Sequence, residues 1–167
     1  MNLLKIFNEE NFSKDELQGF TLRLSTRALL QDNEGNFALL YSHKFEYYEI
    51  PGGGVDMGET IEEGFRRECL EETGCRVEII NIIGVTQEVR GSKKRINESH
   101  CFLAKVAGEK GETQFEEDEL VEGFELLWLS PAKAYELIKE NPYSNNLYTR
   151  YVKQRALLFI EQSGILC

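Results

Sequence analysis

The stretch from Gly53 to Cys75, GGVDMGETIEEGFRRECLEETGC, decides the fold of this 167-residue chain. A glycine-rich turn at its start is followed by Thr60 and then Glu63, a spacing typical of a helix N-terminus. We therefore predict a helix over residues 61–73. Gly74 is suited to end that helix, because glycine adopts the left-handed conformation of a helix C-terminus without steric strain.

Three glutamates share one face of this predicted helix. Glu68, Glu71 and Glu72 stand at positions i, i+3 and i+4, which 3.6 residues per turn bring together. Like charges at this spacing repel one another, so the face requires a compensating partner. A hard divalent cation with carboxylate oxygen ligands is the simplest one.

The spacing of these residues also resembles a known family. Gly53 is followed by five residues and Glu59, then by seven residues and RECLEETGC from Arg67 onwards. This pattern resembles the signature of the Nudix hydrolases, G-x5-E-x7-R-E-U-x-E-E-x-G-U, in which U is a bulky aliphatic residue. Cys69 and Cys75 depart from it at the U positions. Because a free cysteine packs as a small hydrophobe, we expect little effect on the chemistry.

The resemblance implies an α/β fold, the α/β/α sandwich of the family with a mixed central sheet. Apart from it, the order of predicted elements indicates helices on both faces of a sheet and leaves the topology open. We expect a single domain over residues 1–167. Its lead segment covers residues 1–20, with an edge strand or a short helix, and residues 145–167 contain a C-terminal helix.

The remaining elements follow from apolar alternation and turn residues. Strands are predicted over residues 21–30, 37–42, 47–50, 77–89, 98–106 and 124–129. Further helices are predicted over residues 131–139 and 145–162. The first two strands form a hairpin around residues 31–36, and residues 108–119 are predicted to be an acidic loop.

Composition limits the classes of partner. The chain carries 19 basic and 29 acidic residues, a net charge of −10, which argues against binding nucleic acid through its phosphates. No apolar run approaches the roughly 20 residues that span a bilayer, and the N-terminus does not read as a signal peptide. The four cysteines form no C-x-x-C pair. We therefore expect reduced thiols in a cytoplasmic protein without membrane or nucleic-acid partners.

The resemblance implies roles for the residues of the motif. Glu68, Glu71 and Glu72 match the metal-binding glutamates of the family, and Gly52 matches the residue whose carbonyl joins them. The expected cofactor is Mg²⁺, or Mn²⁺ in its place. Arg67 matches the arginine that serves as a partner for a carboxylate, and we count it with these glutamates as catalytic.

Other candidates lie outside the motif. The catalytic base differs between family members, and the run from Glu116 to Glu119 offers Glu119; a solvated loop is the alternative. Arg27 is a candidate for a phosphate contact, with a surface ion pair as the alternative. Tyr48 is a candidate for stacking on a base, with a core aromatic as the alternative. Lys93, Lys94 and Arg95 favour solubility over phosphate contact.

Three functions remain open at this point. The resemblance implies a metal-dependent hydrolase that cleaves the pyrophosphate linkage of a nucleoside diphosphate derivative. Markers of other subgroups are absent beyond the motif, which leaves a MutT-like enzyme acting on a nucleoside triphosphate or a damaged nucleotide. The alternatives are a non-catalytic nucleotide sensor and an isoprenoid-diphosphate isomerase that uses Cys101. The expected partner is a small-molecule nucleotide, and the oligomeric state is left open, a homodimer included.

Overall fold

A computed structural model describes residues 1–142 and 146–166. Within these ranges the chain forms a mixed sheet of seven strands and five α-helices. The strands are β1 (Leu3–Phe7), β2 (Thr21–Gln31), β3 (Phe37–Ser42), β4 (Tyr47–Glu49), β5 (Val77–Arg90), β6 (Arg95–Val106) and β7 (Phe124–Leu129). The helices are α1 (Lys14–Leu17), α2 (Ile61–Thr73), α3 (Glu117–Glu122), α4 (Pro131–Glu140) and α5 (Leu147–Gln162).

The strand order is β1-β5-β6-β2-β3-β4, and β7 pairs antiparallel with β3 over the whole length of β3. Strands β2 and β6 run parallel over the whole length of β2, whereas β5 and β6 are antiparallel. Strand β5 is bent by irregularities near Asn81 and Gly84, as its interrupting glycine predicts. The mixed sheet of the α/β prediction is therefore present.

The two faces of the sheet are covered by different helices. Helix α2 covers one face through Phe65 and Cys69, both fully buried, as the motif helix predicts. Helices α4 and α5 cover the other face through five buried side chains, Ala134, Ile138, Ala156, Phe159 and Ile160. Neighbouring residues of β2 point into opposite cores, so both faces of this central strand are apolar.

The predicted hairpin between the first two strands is confirmed only next to its turn. Strands β2 and β3 pair at Gln31 and Phe37, next to the turn, and then separate. The segment from Pro51 to Gly54 takes the place of β3 instead, because Ala28 donates to the Pro51 carbonyl at 2.8 Å and Thr26 donates to the Gly53 carbonyl at 2.9 Å. The glycine-rich turn is thereby held against the middle of the sheet.

Capping residues and apolar patterns in the sequence predicted most of the other boundaries of helices and strands correctly. Helix α2 has the predicted bounds, with a capping box between Thr60 and Glu63 and a left-handed Gly74 at its end. The segment of residues 1–20 holds both an edge strand, β1, and a short helix, α1.

The end of the predicted acidic loop is helical instead. Residues Glu117–Glu122 are helical, and the Glu119 carboxylate accepts a hydrogen bond from the Glu116 amide at 2.7 Å. Acidic side chains stabilise the N-terminal turn of a helix, and the loop prediction did not take this effect into account.

The C-terminal helix begins at Leu147, after the predicted start. Of the predicted C-terminal segment, Asn145 and Cys167 lie outside the described residues. Among the helices of the described ranges, none has the length and apolar character that crossing a bilayer requires.

Candidate active site

The glycine-rich turn approaches both the sheet and helix α2 too closely for side chains. Gly52 has a φ of 131°, and a Cβ atom there would lie 2.2 Å from the Thr26 carbonyl oxygen. A Cβ atom on Gly53 would lie 2.5 Å from a carboxylate oxygen of Glu68. Glycine is therefore required at these two positions for different reasons, one involving the backbone and one involving the carboxylate.

The predicted metal-binding glutamates differ in burial. The residues Glu68 and Glu72 are 8% and 5% exposed, and both line a cleft of about 360 Å³ next to the turn. Glu72 accepts a hydrogen bond of 2.5 Å from the Gly52 amide. Glu71, with a side chain 29% exposed, lies at the side of this pair and is not among the residues that line the cleft.

Arg67 holds the glutamates of the motif together. Its Nε donates to Glu59 at 2.8 Å, and its Nη1 donates to Glu68 at 2.9 Å and to Glu71 at 3.0 Å. Its Nη2 donates to the Gly54 carbonyl at 2.8 Å. The planar guanidinium thus connects the turn with the helix, a role that fits the expected carboxylate partner.

Burial changes the protonation of the two cleft glutamates. Burial raises the pKa of Glu68 to about 7, against the lowering effect of Arg67. Burial also raises the pKa of Glu72, and the negative charges of Glu119 and Glu68 raise it further. Two carboxyl groups with raised pKa values in one cleft are typical of a functional site.

Glu119 reaches the same cleft from helix α3. Its carboxyl lies close enough to Glu72 for the two groups to titrate together, and burial raises the pKa of Glu119 as well. The structure therefore brings the candidate base from the acidic run next to the motif glutamates. Glu116 and Asp118 line the same cleft, so the individual base remains a prediction.

The donor chemistry of this site fits a divalent cation. Within residues 1–142 and 146–166, no three acidic, histidine or cysteine side chains are already grouped to hold a metal ion. Arg67 engages Glu68 and Glu71, and the Gly52 amide engages Glu72. The raised pKa values indicate, however, that these neighbours supply too little positive charge for the buried carboxylates. A hard cation supplies that charge through oxygen ligands.

Two predicted site residues, Gly52 and Arg27, make contacts that the sequence did not predict. The Gly52 carbonyl, the predicted metal ligand, accepts a hydrogen bond from Arg27 Nη1. Arg27, the predicted phosphate contact, is only 8% exposed and also pairs with Glu49 at 3.3 Å. It lies in the cleft, where it holds the turn in position. The alternative of a surface ion pair does not describe it, because the pair is buried.

Tyr48 lies away from the cleft. Its ring packs on Tyr41, with centroids 4.8 Å apart, and against the apolar core beneath helices α4 and α5. Tyr47, its neighbour in β4, lines the cleft instead. Successive side chains of a strand point to opposite faces, so Tyr48 takes the position of the core aromatic that was the alternative.

The floor of the cleft contains a buried ionic network that the sequence analysis missed. Arg155 of helix α5 is 2% exposed and donates to Glu88 at 2.5 Å and to Glu49 at 2.7 Å. Arg90 donates to the other oxygen of Glu88 at 2.5 Å. A signal existed for Arg155, because it interrupts an otherwise apolar helical stripe.

The comparisons with known proteins agree with this geometry. The model of the NUDIX domain matches residues 21–151. The chain belongs to the Nudix family. This confirms the predicted resemblance to MutT-like Nudix hydrolases and the classification as a Nudix pyrophosphohydrolase.

Individual relatives of this Nudix chain carry different substrate names. An RNA pyrophosphohydrolase of Erythrobacter litoralis is 28% identical over 64% of this chain and 72% of that protein. A putative 8-oxo-dGTP diphosphatase of Bacillus subtilis is 35% identical over 60% of this chain and 62% of its own length. The MutT protein from Methanosarcina mazei Go1 has a TM-score of 0.57 at 21% identity, covering 87% of this chain and 96% of its own. The last likeness supports the Nudix fold alone.

Proposed function

We propose that this Nudix protein is a divalent-metal-dependent hydrolase that cleaves the pyrophosphate linkage of a nucleoside triphosphate or a damaged nucleotide. Glu68, Glu71 and Glu72 would hold Mg²⁺ or Mn²⁺ in this proposal. The Gly52 carbonyl would be a further ligand.

One observation carries the proposal. Glu68, Glu72 and Glu119 converge on one cleft beside the glycine-rich turn, and burial raises the pKa of each. Retaining two buried carboxyl groups and a partly buried third one without a matching set of cations disfavours the folded state. Such an arrangement is expected where a cation and a phosphate chain supply the missing partners.

The residues of the cleft have different roles in hydrolysis. A bound divalent metal ion neutralises phosphate charge and lowers the pKa of a coordinated water. Glu119, which lies next to Glu72, would accept a proton from the attacking water, while Glu72 would stay deprotonated to hold the metal ion. Arg67 orients Glu68 and Glu71, and Arg27 orients the turn and the phosphate chain next to it.

The names of the relatives favour nucleotides with a 5′-phosphate chain. One relative is named for RNA and another for 8-oxo-dGTP. A free nucleotide suits this chain better than a long nucleic acid, because the net charge of −10 repels a polyanion. The cleft of about 360 Å³ is also of the size that encloses a small ligand.

The same proposal covers the extent and location of the protein. We treat residues 1–167 as a single Nudix domain, because β1 pairs with β5 and α5 packs on the shared sheet. Three cysteines, Cys69, Cys75 and Cys101, are buried and free, which suits a reducing cytoplasm.

A hydrolysis panel tests the activity. It contains canonical and oxidised nucleoside triphosphates, ADP-ribose, dinucleoside polyphosphates and nucleotide sugars, each with Mg²⁺, with Mn²⁺ and with a chelator. We expect metal-dependent turnover of at least one triphosphate and a drop of roughly 10²–10⁴-fold in Glu72→Gln. Glu62→Gln is the matched control, because Glu62 is an exposed residue of the same helix. Full activity of Glu72→Gln contradicts the proposal.

The two alternatives predict different results from the same panel. A nucleotide sensor binds a triphosphate tightly and turns over no compound. An isomerase converts isopentenyl diphosphate and loses this activity in Cys101→Ala. Cys101 is fully buried, and burial raises the pKa of its thiol, which disfavours a catalytic role for it.

A further inference from the structure

A loop of ten residues connects strand β6 to helix α3, which carries Glu119. Residues 107–116, which we call the strap, belong to no helix or strand. The last of them, Glu116, donates its backbone amide to the Glu119 carboxylate at 2.7 Å. The position of the proposed base therefore depends on the contacts that hold the strap in place.

The strap completes the C-terminal end of helix α2. The amide of Gly111 donates to the Gly74 carbonyl at 2.9 Å, and the amide of Gln114 donates to the Glu71 carbonyl at 2.6 Å. The last carbonyls of a helix have no partner within the helix, so the strap supplies partners that the helix cannot provide. The two backbones approach so closely that a Cβ atom on Gly111 would lie 2.9 Å from the Gly74 carbonyl oxygen.

The side chain of Lys110 fastens the strap to the sheet. Its Nζ donates to Asp32 Oδ2 at 2.6 Å and lies 3.7 Å from the centroid of the Trp128 ring. Asp32 is 6% exposed and stands in the turn between β2 and β3, whereas Trp128 belongs to β7. One ammonium group thus combines an ion pair with a cation–π contact and joins the strap to two separate parts of the sheet.

The charge of Lys110 serves both of its surroundings. Burial acts to raise the pKa of Asp32, yet the hydrogen bond from Lys110 and the backbone amides of the same turn hold this pKa below its ordinary value. The last turn of helix α2 contains Glu71 and Glu72 and no basic residue, and a cation is favourable near the C-terminus of a helix. A neutral side chain at position 110 would remove this cation from both.

We propose that Lys110 is a positioning residue for hydrolysis, which holds the strap against helix α2 and thereby keeps Glu119 beside Glu72. This inference rests on the proposed function, because it gives Glu119 the role of the base. Lys110 is not among the residues that line the cleft, so it acts only through the strap. A displacement of about 1 Å in a reacting group lowers a rate by up to about 100-fold, which makes such a remote contact important for the chemical step.

Steady-state kinetics separate this role from a contribution to stability alone. With the nucleoside triphosphate that is hydrolysed fastest in the panel, we expect kcat of Lys110→Ala to fall by roughly 10–100-fold and KM to change by less than about twofold. Lys110→Arg should keep most of the wild-type kcat, since a guanidinium also pairs with Asp32 and stacks on Trp128. Lys105→Ala, a change of an exposed lysine near the end of β6, is the matched control.

A double-mutant cycle tests whether Lys110 acts through Glu119. If it does, Lys110→Ala should lower kcat of the Glu119→Gln variant by less than about twofold, because the group that it positions is already missing. Independent contributions would multiply instead. Asp32→Asn should reproduce Lys110→Ala in both backgrounds, since it removes the charge and keeps the Oδ1 acceptor for the amides of Glu34 and Asn36.

Hydrogen exchange and fluorescence test the geometry without relying on turnover. Lys110→Ala should accelerate amide exchange over residues 111–119 by at least about tenfold and leave the core strands unchanged. Trp128 is the single tryptophan of the sequence, and its fluorescence should become easier to quench with acrylamide. Gly111→Ala should also accelerate the exchange without changing a charge, because its methyl group separates the strap from Gly74.

The possible failures are distinguishable. Unchanged exchange over residues 111–119 in Lys110→Ala, or a multiplicative loss in the double-mutant cycle, overturns the inference even if the enzyme hydrolyses triphosphates. Full activity of Glu119→Gln also overturns it and leaves the hydrolase, which Glu72→Gln tests, in place. Faster exchange in the variant of a protein that turns over no compound supports the anchoring of the strap by Lys110 and overturns the proposed hydrolase. Thermal melting of each variant separates a displaced strap from a lost fold.

Discussion

The backbone amide of Gly52 donates a hydrogen bond of 2.5 Å to a carboxylate oxygen of Glu72. This contact joins the glycine-rich turn to the last part of helix α2 and orients a buried carboxyl group toward the cleft. It lowers the pKa of Glu72, although burial and the nearby charges of Glu119 and Glu68 outweigh it. The turn therefore positions the glutamate without removing its need for a cation.

Gly53→Ala should impair the site while leaving the fold intact. The new methyl group meets the Glu68 carboxylate at 2.5 Å, so that side chain must move away from the turn. We expect kcat/KM to fall by roughly 10–100-fold, the range for displaced residues around metal ligands. Melting and steady-state kinetics in Mg²⁺ check this. Gly19→Ala is the control, since its Cβ meets no atom closer than 3.9 Å. An unchanged kcat/KM speaks against Glu68 acting from its present position.

Arg67→Lys should lower both stability and activity. Lysine cannot reproduce the contacts of the guanidinium with Glu59, Glu68 and the Gly54 carbonyl. We expect a loss of about 1–3 kcal/mol in the free energy of unfolding and a melting temperature lower by about 2–4 °C per kcal/mol. Arg76→Lys, an exposed change just beyond the helix, should have neither effect. Equal stability of the two variants would show that the hydrogen bonds and ion pairs of Arg67 contribute little to the free energy of unfolding.

Arg155→Met should be the most destabilising of these changes. It removes one of the two arginine partners of Glu88 and of Glu49 and leaves both carboxylates buried. Breaking a buried ion pair costs up to about 3–5 kcal/mol. Denaturant unfolding monitored by circular dichroism measures the loss. Arg76→Met, an exposed arginine replaced in the same way, controls for the general effect of the substitution. A loss below about 1 kcal/mol would mean that water reaches the network and replaces Arg155.

Low pH should destabilise the protein through the same ionic network of Glu88, Arg90 and Arg155. The charges of Arg155 and Arg90 hold the pKa of Glu88 below its ordinary value of 4.5, in spite of its burial. A carboxyl with a lowered pKa in the folded state stabilises the protein above the unfolded pKa, and this contribution disappears as pH falls through the folded pKa. We therefore expect wild-type stability to fall below about pH 4.5. Glu88→Gln should lose less stability over that range, as a pH series of melting temperatures would reveal.

The stabilisation of the protein by a bound metal ion should increase as pH rises. Because burial raises the pKa of Glu68 to about 7, its contribution in the metal-free protein is complete below the ordinary value of 4.5 and is lost as pH rises through about 7. A metal ion binds the deprotonated carboxylate. Saturating Mg²⁺ should thus raise the melting temperature more at about pH 8 than at about pH 6. Glu68→Gln should abolish most of this difference, and Glu62→Gln should preserve it.

Short-range patterns predicted the elements of the site with good accuracy. Helix α2 begins after Thr60 and ends before Gly74, because both signals act through hydrogen bonds within a few residues. Errors arose where the partner was remote. The hairpin prediction overlooked the segment from Pro51 to Gly54 that occupies the edge of β2. Whether Tyr48 faces the cleft or the core depended on which face of β4 meets the cleft.

The sequence by itself determined the family, the motif helix and the set of glutamates, since periodicity and spacing along one segment specify which side chains share a face. Only the tertiary structure decided how those glutamates are partnered. Pairing of β2 with β6 brings Arg23 and Arg95 to one wall of the cleft, and packing of α5 buries Arg155 beneath the cleft. The physical reason is that charge partnership and desolvation depend on strands and helices far apart in the chain, which no local pattern records.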